Sequence, residues 1–469
     1  MALSLRLLDA DLVATHGARC MDGSPGGLYL SPAASAANAS RLVLYLEGGG
    51  ECRTARACAA WASHSGSSSR WPARFASAQL AGSPMDPSAR ANPDFHDWAR
   101  LVLPYCSADL HAGTRRDRSA PLGGWYFAGH RLLVGALAQL RRAWPRFAPT
   151  HVLVTGSSAG GIGALLHADF FGAHWPAAAV KVSPAAGYFY PGAPSQRDFA
   201  AARPTPDDDL AMLAEWRPYL HEGCAAATNR SRARCSSAHQ VVRYVRTPLF
   251  VRENLFDPAK LANCGLDVRR KLGEGGLAYL RAWGEALAAS LEGSLRRAGH
   301  GYFVPSCLAH ASNLGFESAP AVRGVRLREA MRAWFFSSGG RTDLLERCGG
   351  LPCSNASGAA QYCPHLPTRE CRQLCQLARR RRRVRNGLDA ASPGRHVCLI
   401  HREAQPEVAA VTPAGGDEGI GEWRMATCHK EAARMAPHPN HRTLTHLFDD
   451  CILPSKRRDV RTRSSPLTR

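Results

Sequence analysis

Ser158 stands at the centre of Gly156-Ser157-Ser158-Ala159-Gly160, which has the pattern G-x-S-x-G. The apolar run before it, HVLVTG, reads as a buried strand, and the residues after it, AGGIGALLHADFF, read as a helix. A sharp strand-to-helix turn of that kind presents a serine hydroxyl at the strand's C-terminal end, where the helix N-terminus favours negative charge. The chemistry this suits is nucleophilic attack on an acyl carbonyl. Ser157 occupies the x position and should point away. The alternative is a glycine-rich packing turn without chemistry.

Such an attack creates an oxyanion, which needs backbone N–H donors already in place. Ala159, the residue after the serine, supplies one. The segment LVLYLEGGGEC, from Leu42 to Cys52, offers the others, because it ends a strand in glycines whose N–H groups no side chain can block. Gly49 and Gly50 are the expected donors, and an ordinary turn is the competing reading.

A serine also needs a base, and the base an acid. In a fold of this kind the chain order is serine, then acid, then histidine. Asp257 follows the apolar run TPLFVREN, and His310 follows GYFVPS. With nineteen histidines in the chain, spacing alone leaves the base open.

The elements that must position these residues alternate. GLYLS, RLVLYLE, ARLVLPY, THVLVTG, AAAVKVS, TPLFVREN and GYFVPS read as strands. HRLLVGALAQLRRAW carries Leu133, Leu137 and Leu140 at helical spacing, and 267–297 and RLREAMRAWFF also read as helices. The expectation is an α/β fold, a mostly parallel sheet covered by helices on both faces. The alternation runs from about residue 26 to residue 340. Residues 1–19 carry no clear assignment. Residues 355–469 form a basic, Cys- and His-rich extension without periodicity, expected to be poorly ordered.

Composition narrows the setting. The 469 residues are 45% hydrophobic, enough for a sizeable core. No apolar run is long enough to span a membrane. The start, MALSLRLLDADLVATHGARC, makes a poor secretory signal, so either the route is unusual or the true N-terminus lies upstream. Sixteen cysteines, several in short loops (Cys52 and Cys58, Cys224 and Cys235, Cys348 and Cys353), favour disulfides in an oxidising compartment, and the sequons at Asn38, Asn229 and Asn355 fit secretion. Cys371 and Cys375 resemble half a zinc site with no second half, so no metal or cofactor is expected. The formal net charge is +21, with an unbroken run from Arg379 to Arg383. Such a run suits an acidic polysaccharide as well as any polyanion. Nothing here reads as a nucleic-acid fold.

Taken together, these segments resemble the family of pectin acetylesterases and Notum-type carboxylesterases. The likeness runs through CMDGSPGGLYL from Cys20, LYLEGGGEC with Cys58, NPDFHDWARLVLPYCSAD from Asn92, GSSAGGIGALLHADF, TPLFVRENLFD and VPSCLAH, in that order, over residues 20–354. The resemblance implies a serine esterase on an α/β-hydrolase-like fold, with Ser158 as nucleophile, Asp257 as acid and His310 as base. It also implies an extracellular protein with disulfides, Cys52–Cys58 and Cys20–Cys106 among them.

Three departures bear on substrate. Gly50 and Glu51 stand where family members carry aromatics, and His111 replaces an aromatic of Notum-type sequences. A charge near the acyl site favours a small acyl group, so the expected substrate is an O-acetyl ester on a polysaccharide such as pectin. The alternatives are removal of a longer acyl chain from a protein, and a glycan-binding relative without turnover.

Overall fold

The structure is a computed structural model that describes residues 2–347, apart from 77–79, 191–205, 264–265, 267, 269–273 and 338–341. Cys348, Cys353, Asn355, Cys371, Cys375 and the Arg379–Arg383 run lie outside the described residues.

Among the described residues nine strands make one sheet: β1 (Ser4–Leu7), β2 (Gly27–Ser31), β3 (Arg41–Leu46), β4 (Ala99–Leu103), β5 (His151–Ser157), β6 (Ala179–Ala185), β7 (Phe250–Arg252), β8 (Gly301–Val304) and β9 (Asp343–Leu345). Their order is β1-β2-β4-β3-β5-β6-β7-β8-β9. β2 pairs antiparallel with both β1 and β4, and all other neighbours run parallel. The expected mostly parallel sheet is therefore present. Each apolar run read from the sequence supplies a strand.

Both faces of the sheet are buried, as its continuous apolar strands require. Leu42, Leu44 and Leu46 of β3 join one core, with Val152 and Val154 of β5. Val43 and Leu153, on the opposite face, join the other. The first core takes up α1 (Ala10–His16), α3 (Gly129–Ala143), α4 (Ala159–Leu166) and the helix Glu274–Ser294. The second is closed by the helix Leu327–Phe336. Leu133, Leu137 and Leu140 of α3 are buried, as their spacing predicts. Among the described residues no helix is long and apolar enough to cross a membrane.

Two local features differ from the sequence reading. The segment before Cys20 contributes β1 and α1 to the fold. The single helix expected after Ser158 divides at His167 into α4 and α5 (Ala168–His174). His167 Nδ1 donates to the carbonyl of Gly163 one turn back (2.8 Å), which engages the side chain with the end of its own helix.

Among the described residues three disulfides close loops: Cys20–Cys106, Cys52–Cys58 and Cys224–Cys235. The first two are those the family resemblance implies. The second anchors the loop after β3 to α2 (Ala55–Ser65).

Candidate active site

β3 and β5 lie side by side, in register from Arg41↔His151 to Leu46↔Gly156. The chain leaves β3 toward β4 on one side and leaves β5 toward β6 on the other. Their C-terminal ends thus flank the point where strand order reverses, the usual place for a ligand crevice in such sheets.

Ser158 sits at this edge with φ 56° and ψ −122°, as the N-cap of α4. A non-glycine residue there is strained, and the surroundings must hold it. Its N–H donates to the Ala185 carbonyl of β6 (2.9 Å). The flanking glycines allow the close approach that the turn needs. A Cβ on Gly156 would stand 2.3 Å from the Gly160 carbonyl oxygen, and one on Gly160 would stand 2.0 Å from that of Leu46. Ser158 itself is only 5% exposed.

Asp257 and His310 reach Ser158 from loops after β7 and β8. A bridge between Phe256 and Leu308 continues the parallel pairing and brings the two loops together. His310 Nδ1 donates to Asp257 Oδ2 (2.7 Å), and its Nε2 lies 2.8 Å from Ser158 Oγ. A carboxylate can only accept, so Nδ1 carries the proton and Nε2 is free to accept from the serine hydroxyl. Asp257 is buried and also accepts from the Ala259 N–H (2.8 Å). The structure therefore brings together the three residues proposed from the sequence.

The glycine loop lies over the elbow. A Cβ on Gly48 would come within 2.4 Å of the Ser157 carbonyl oxygen. Gly50 has φ +76°, and nothing would meet a Cβ built on it. At Gly49 a Cβ would strike Tyr105 Cδ1 at 2.8 Å. The two glycines thus serve different ends: Gly50 adopts a left-handed backbone and faces open space, and Gly49 packs flat against a ring. Ala159 is the first residue of α4, so its N–H belongs to the helix's unsatisfied first turn.

Glu51 is not an isolated charge. Its side chain is fully buried and accepts from Arg53 Nε (2.7 Å). Arg53 in turn pairs with Asp209 on α6 (Pro206–Trp216). His111 is buried, its ring stacked on Tyr105 at 4.5 Å, and burial drives its pKa down to about 4, so the ring is neutral.

Several groups around the triad carry no recognisable pattern in the sequence. Glu253 is buried, and its pKa is raised by burial and then by the charge of Asp257. It accepts from the Tyr188 N–H (2.9 Å). Asn254 donates to the His310 carbonyl and to Asn313 Oδ1, tying the base-bearing loop to β7. Phe189 lies edge-on to His310 with centroids 6.0 Å apart.

A mostly parallel sheet with a serine elbow after β5, an acid after β7 and a histidine after β8 defines an α/β-hydrolase-like protein. The sequence matches the pectinacetylesterase family over residues 3–357. It is 27% identical over 349 residues to pectin acetylesterase 5 of Arabidopsis thaliana, covering 69% of this chain and 78% of that protein. It is 28% identical over 343 residues to the palmitoleoyl-protein carboxylesterase Notum of Drosophila melanogaster, covering 70% of this chain but 48% of that one. The solved structure of the Wnt deacylase Notum from Drosophila superposes with a TM-score of 0.65 at 26% identity, over 76% of this chain and 99% of that one. The chain belongs to the pectinacetylesterase family and is a carboxylic ester hydrolase.

Proposed function

We propose that the protein hydrolyses O-acetyl esters on an acidic polysaccharide such as pectin, through an acyl-enzyme on Ser158. The observation that carries the catalytic part is the continuous Ser158–His310–Asp257 hydrogen-bonded chain. His310 Nε2 takes the hydroxyl proton as Ser158 Oγ attacks the acyl carbonyl. The buried Asp257 carboxylate holds the imidazole in the required tautomer and stabilises the imidazolium. The N–H groups of Gly49, Gly50 and Ala159 receive the oxyanion. As the tetrahedral intermediate collapses, the His310 imidazolium protonates the departing sugar oxygen, which leaves as a hydroxyl. Water, deprotonated by the same nitrogen, releases the acid. A glycan-binding relative without turnover would have no use for this alignment.

The preference for acetyl rests on the residues that follow Gly50 in the chain. The Glu51–Arg53–Asp209 ion pairs line the chain beside Gly50 where an apolar wall would suit a lipid. The basic balance of the chain, including Arg379–Arg383, suits a uronate-bearing polymer, and the three disulfides suit an extracellular setting. The open space at Gly50 favours the second reading, removal of a longer acyl chain from a protein. A panel of p-nitrophenyl esters from C2 to C16 separates the two. The expected kcat/KM peaks at C2 to C4 and falls at least about tenfold at C8, roughly 1.4 kcal/mol in transition-state binding. A preference for C8 or longer would put the protein-deacylase reading first.

A further inference from the structure

Three carbonyls of the glycine loop are held by three ring-bearing side chains. Trp61 Nε1 on α2 donates to the Gly49 carbonyl (2.8 Å). The Tyr105 hydroxyl donates to the Gly50 carbonyl (2.9 Å). His111 Nε2 lies 2.8 Å from the Glu47 carbonyl. A carbonyl only accepts, so His111 carries its proton on Nε2, and its ring is neutral at ordinary pH.

The direction of the Tyr105 bond is fixed as well. Its oxygen receives the Leu110 N–H at 2.7 Å, so its single proton is left for Gly50. The three rings also brace one another. Tyr105 packs edge-on against Trp61 at 5.4 Å and face-on against His111 at 4.5 Å.

A trans peptide points its C=O and N–H in opposite directions. Holding the Gly49 carbonyl on Trp61 therefore turns the Gly50 N–H the other way. Holding the Gly50 carbonyl on Tyr105 fixes the next peptide, so the residue between them, at φ +76°, cannot flip. Glycine is the residue with the most freedom to flip, and without these bonds it would do so.

The segment that presents these rings is itself costly to form. Ala108, Leu110 and His111 all have positive φ (50°, 59° and 60°). Residues in that region persist only where their surroundings impose it, and they cluster at functional sites. Here the imposing contacts are visible. Asp109, fully buried, accepts from Ser107 Oγ (2.6 Å) and from the Gly129 N–H (2.8 Å). Cys106, at the head of the segment, is bonded to Cys20.

We infer that Trp61, Tyr105 and His111 are positioning residues that aim the Gly50 N–H at the oxyanion. The inference rests on the esterase reading of Ser158. They act through the loop's carbonyls, and glycine leaves the donor's own surroundings clear for substrate.

The test uses Trp61→Phe, Tyr105→Phe, His111→Gln and His111→Leu in the full chain, with p-nitrophenyl acetate. Rates are normalised to the sites that react with a p-nitrophenyl phosphonate, so unfolded protein does not count. Trp61→Phe and Tyr105→Phe should each lower kcat about ten- to a hundredfold with KM within about threefold, because misaimed donors weaken only the transition state. His111→Gln, which keeps a donor, should retain more kcat than His111→Leu. Should Tyr105→Phe fail to fold, Trp61→Phe carries the test alone. The inference is overturned by kcat within twofold of wild type in both ring variants, or by a loss confined to KM. Ser158→Ala in the same assay separates the two failures. If it stays active, the esterase reading falls and this inference with it. If it is dead while the ring variants are unaffected, only the positioning role falls.

Discussion

Ser158 and the glycine loop stand on adjacent, fully paired strands, whereas Asp257 and His310 stand on loops that leave two short ones. β3 and β5 share six paired positions, and β7 and β8 share three. The first half is clamped by backbone contact through Gly48, Gly156 and Gly160 and by the disulfides at Cys52 and Cys106. The second half is assembled by side-chain hydrogen bonds, chiefly those of Asn254, and by the Phe256–Leu308 bridge. The comparison teaches where precision is placed. The atoms that change bonding are fixed by the backbone. The groups that move protons are fixed by side chains and are the more easily perturbed by single substitutions.

The largest expected effect lies in the first half. Ser158→Ala should lower turnover of an acetyl ester on the order of 10⁶-fold while the fold persists. Ser157→Ala should remain active. Inactive Ser157→Ala with an active Ser158→Ala would move the nucleophile one residue and break the elbow geometry argued above.

In the second half, Asp257→Asn keeps the volume but removes the acceptor that sets the His310 tautomer. A fall of about 10⁴ in kcat, with KM little changed, is expected from the parallel case in serine proteases. A fall below tenfold, measured in the same acetate assay, would mean that another carboxylate, with Glu253 nearest in line, orients the base.

The smallest effect concerns pH and the strap that carries Tyr105 and His111. Burial pushes Asp109 up to about 7 from an ordinary 3.8, with its hydrogen bonds opposing the rise. Between those values the folded state holds a proton that the unfolded state has lost, so this group's contribution to stability falls as pH rises from about 4 to 7 and stays low above it. Neutral His111, depressed to about 4, works in the opposite direction, because acidification below 6.5 charges the unfolded state first. The two are separated by difference: the unfolding free energy of the wild type minus that of Asp109→Asn, from denaturant titrations, should decline from pH 5 to pH 7 by on the order of 1 kcal/mol per pH unit and level off above it. A flat difference would show that Asp109 is ionised in the fold throughout.

The same contrast explains what could be read from the sequence. Gly156–Gly160 was legible because an elbow is made by neighbours in the chain, and the strands were legible because both faces of the sheet are apolar. Asp257 and His310 became firm only through the resemblance, since their meeting depends on the parallel pairing of β7 and β8. Trp61 and Tyr105 left no trace, because their bonds to Gly49 and Gly50 span 12 and 55 residues. Glu51 reads as a bare charge for the same reason: one of its neutralising partners is two residues away, but the chain of ion pairs ends at Asp209, 156 residues beyond Arg53. β1 was hidden because a four-residue edge strand with mostly exposed side chains has little apolar pattern to show.

The central claim is that Ser158, activated by His310, is the acyl-accepting nucleophile. Treating the purified chain with a p-nitrophenyl phosphonate and mapping the adduct by peptide mass spectrometry tests it most directly. The account predicts one adduct, on Ser158, formed with loss of ester hydrolysis, absent from Ser158→Ala and strongly slowed in His310→Ala. An adduct on Ser157 or another residue, or full hydrolytic activity after stoichiometric labelling of Ser158, would contradict it.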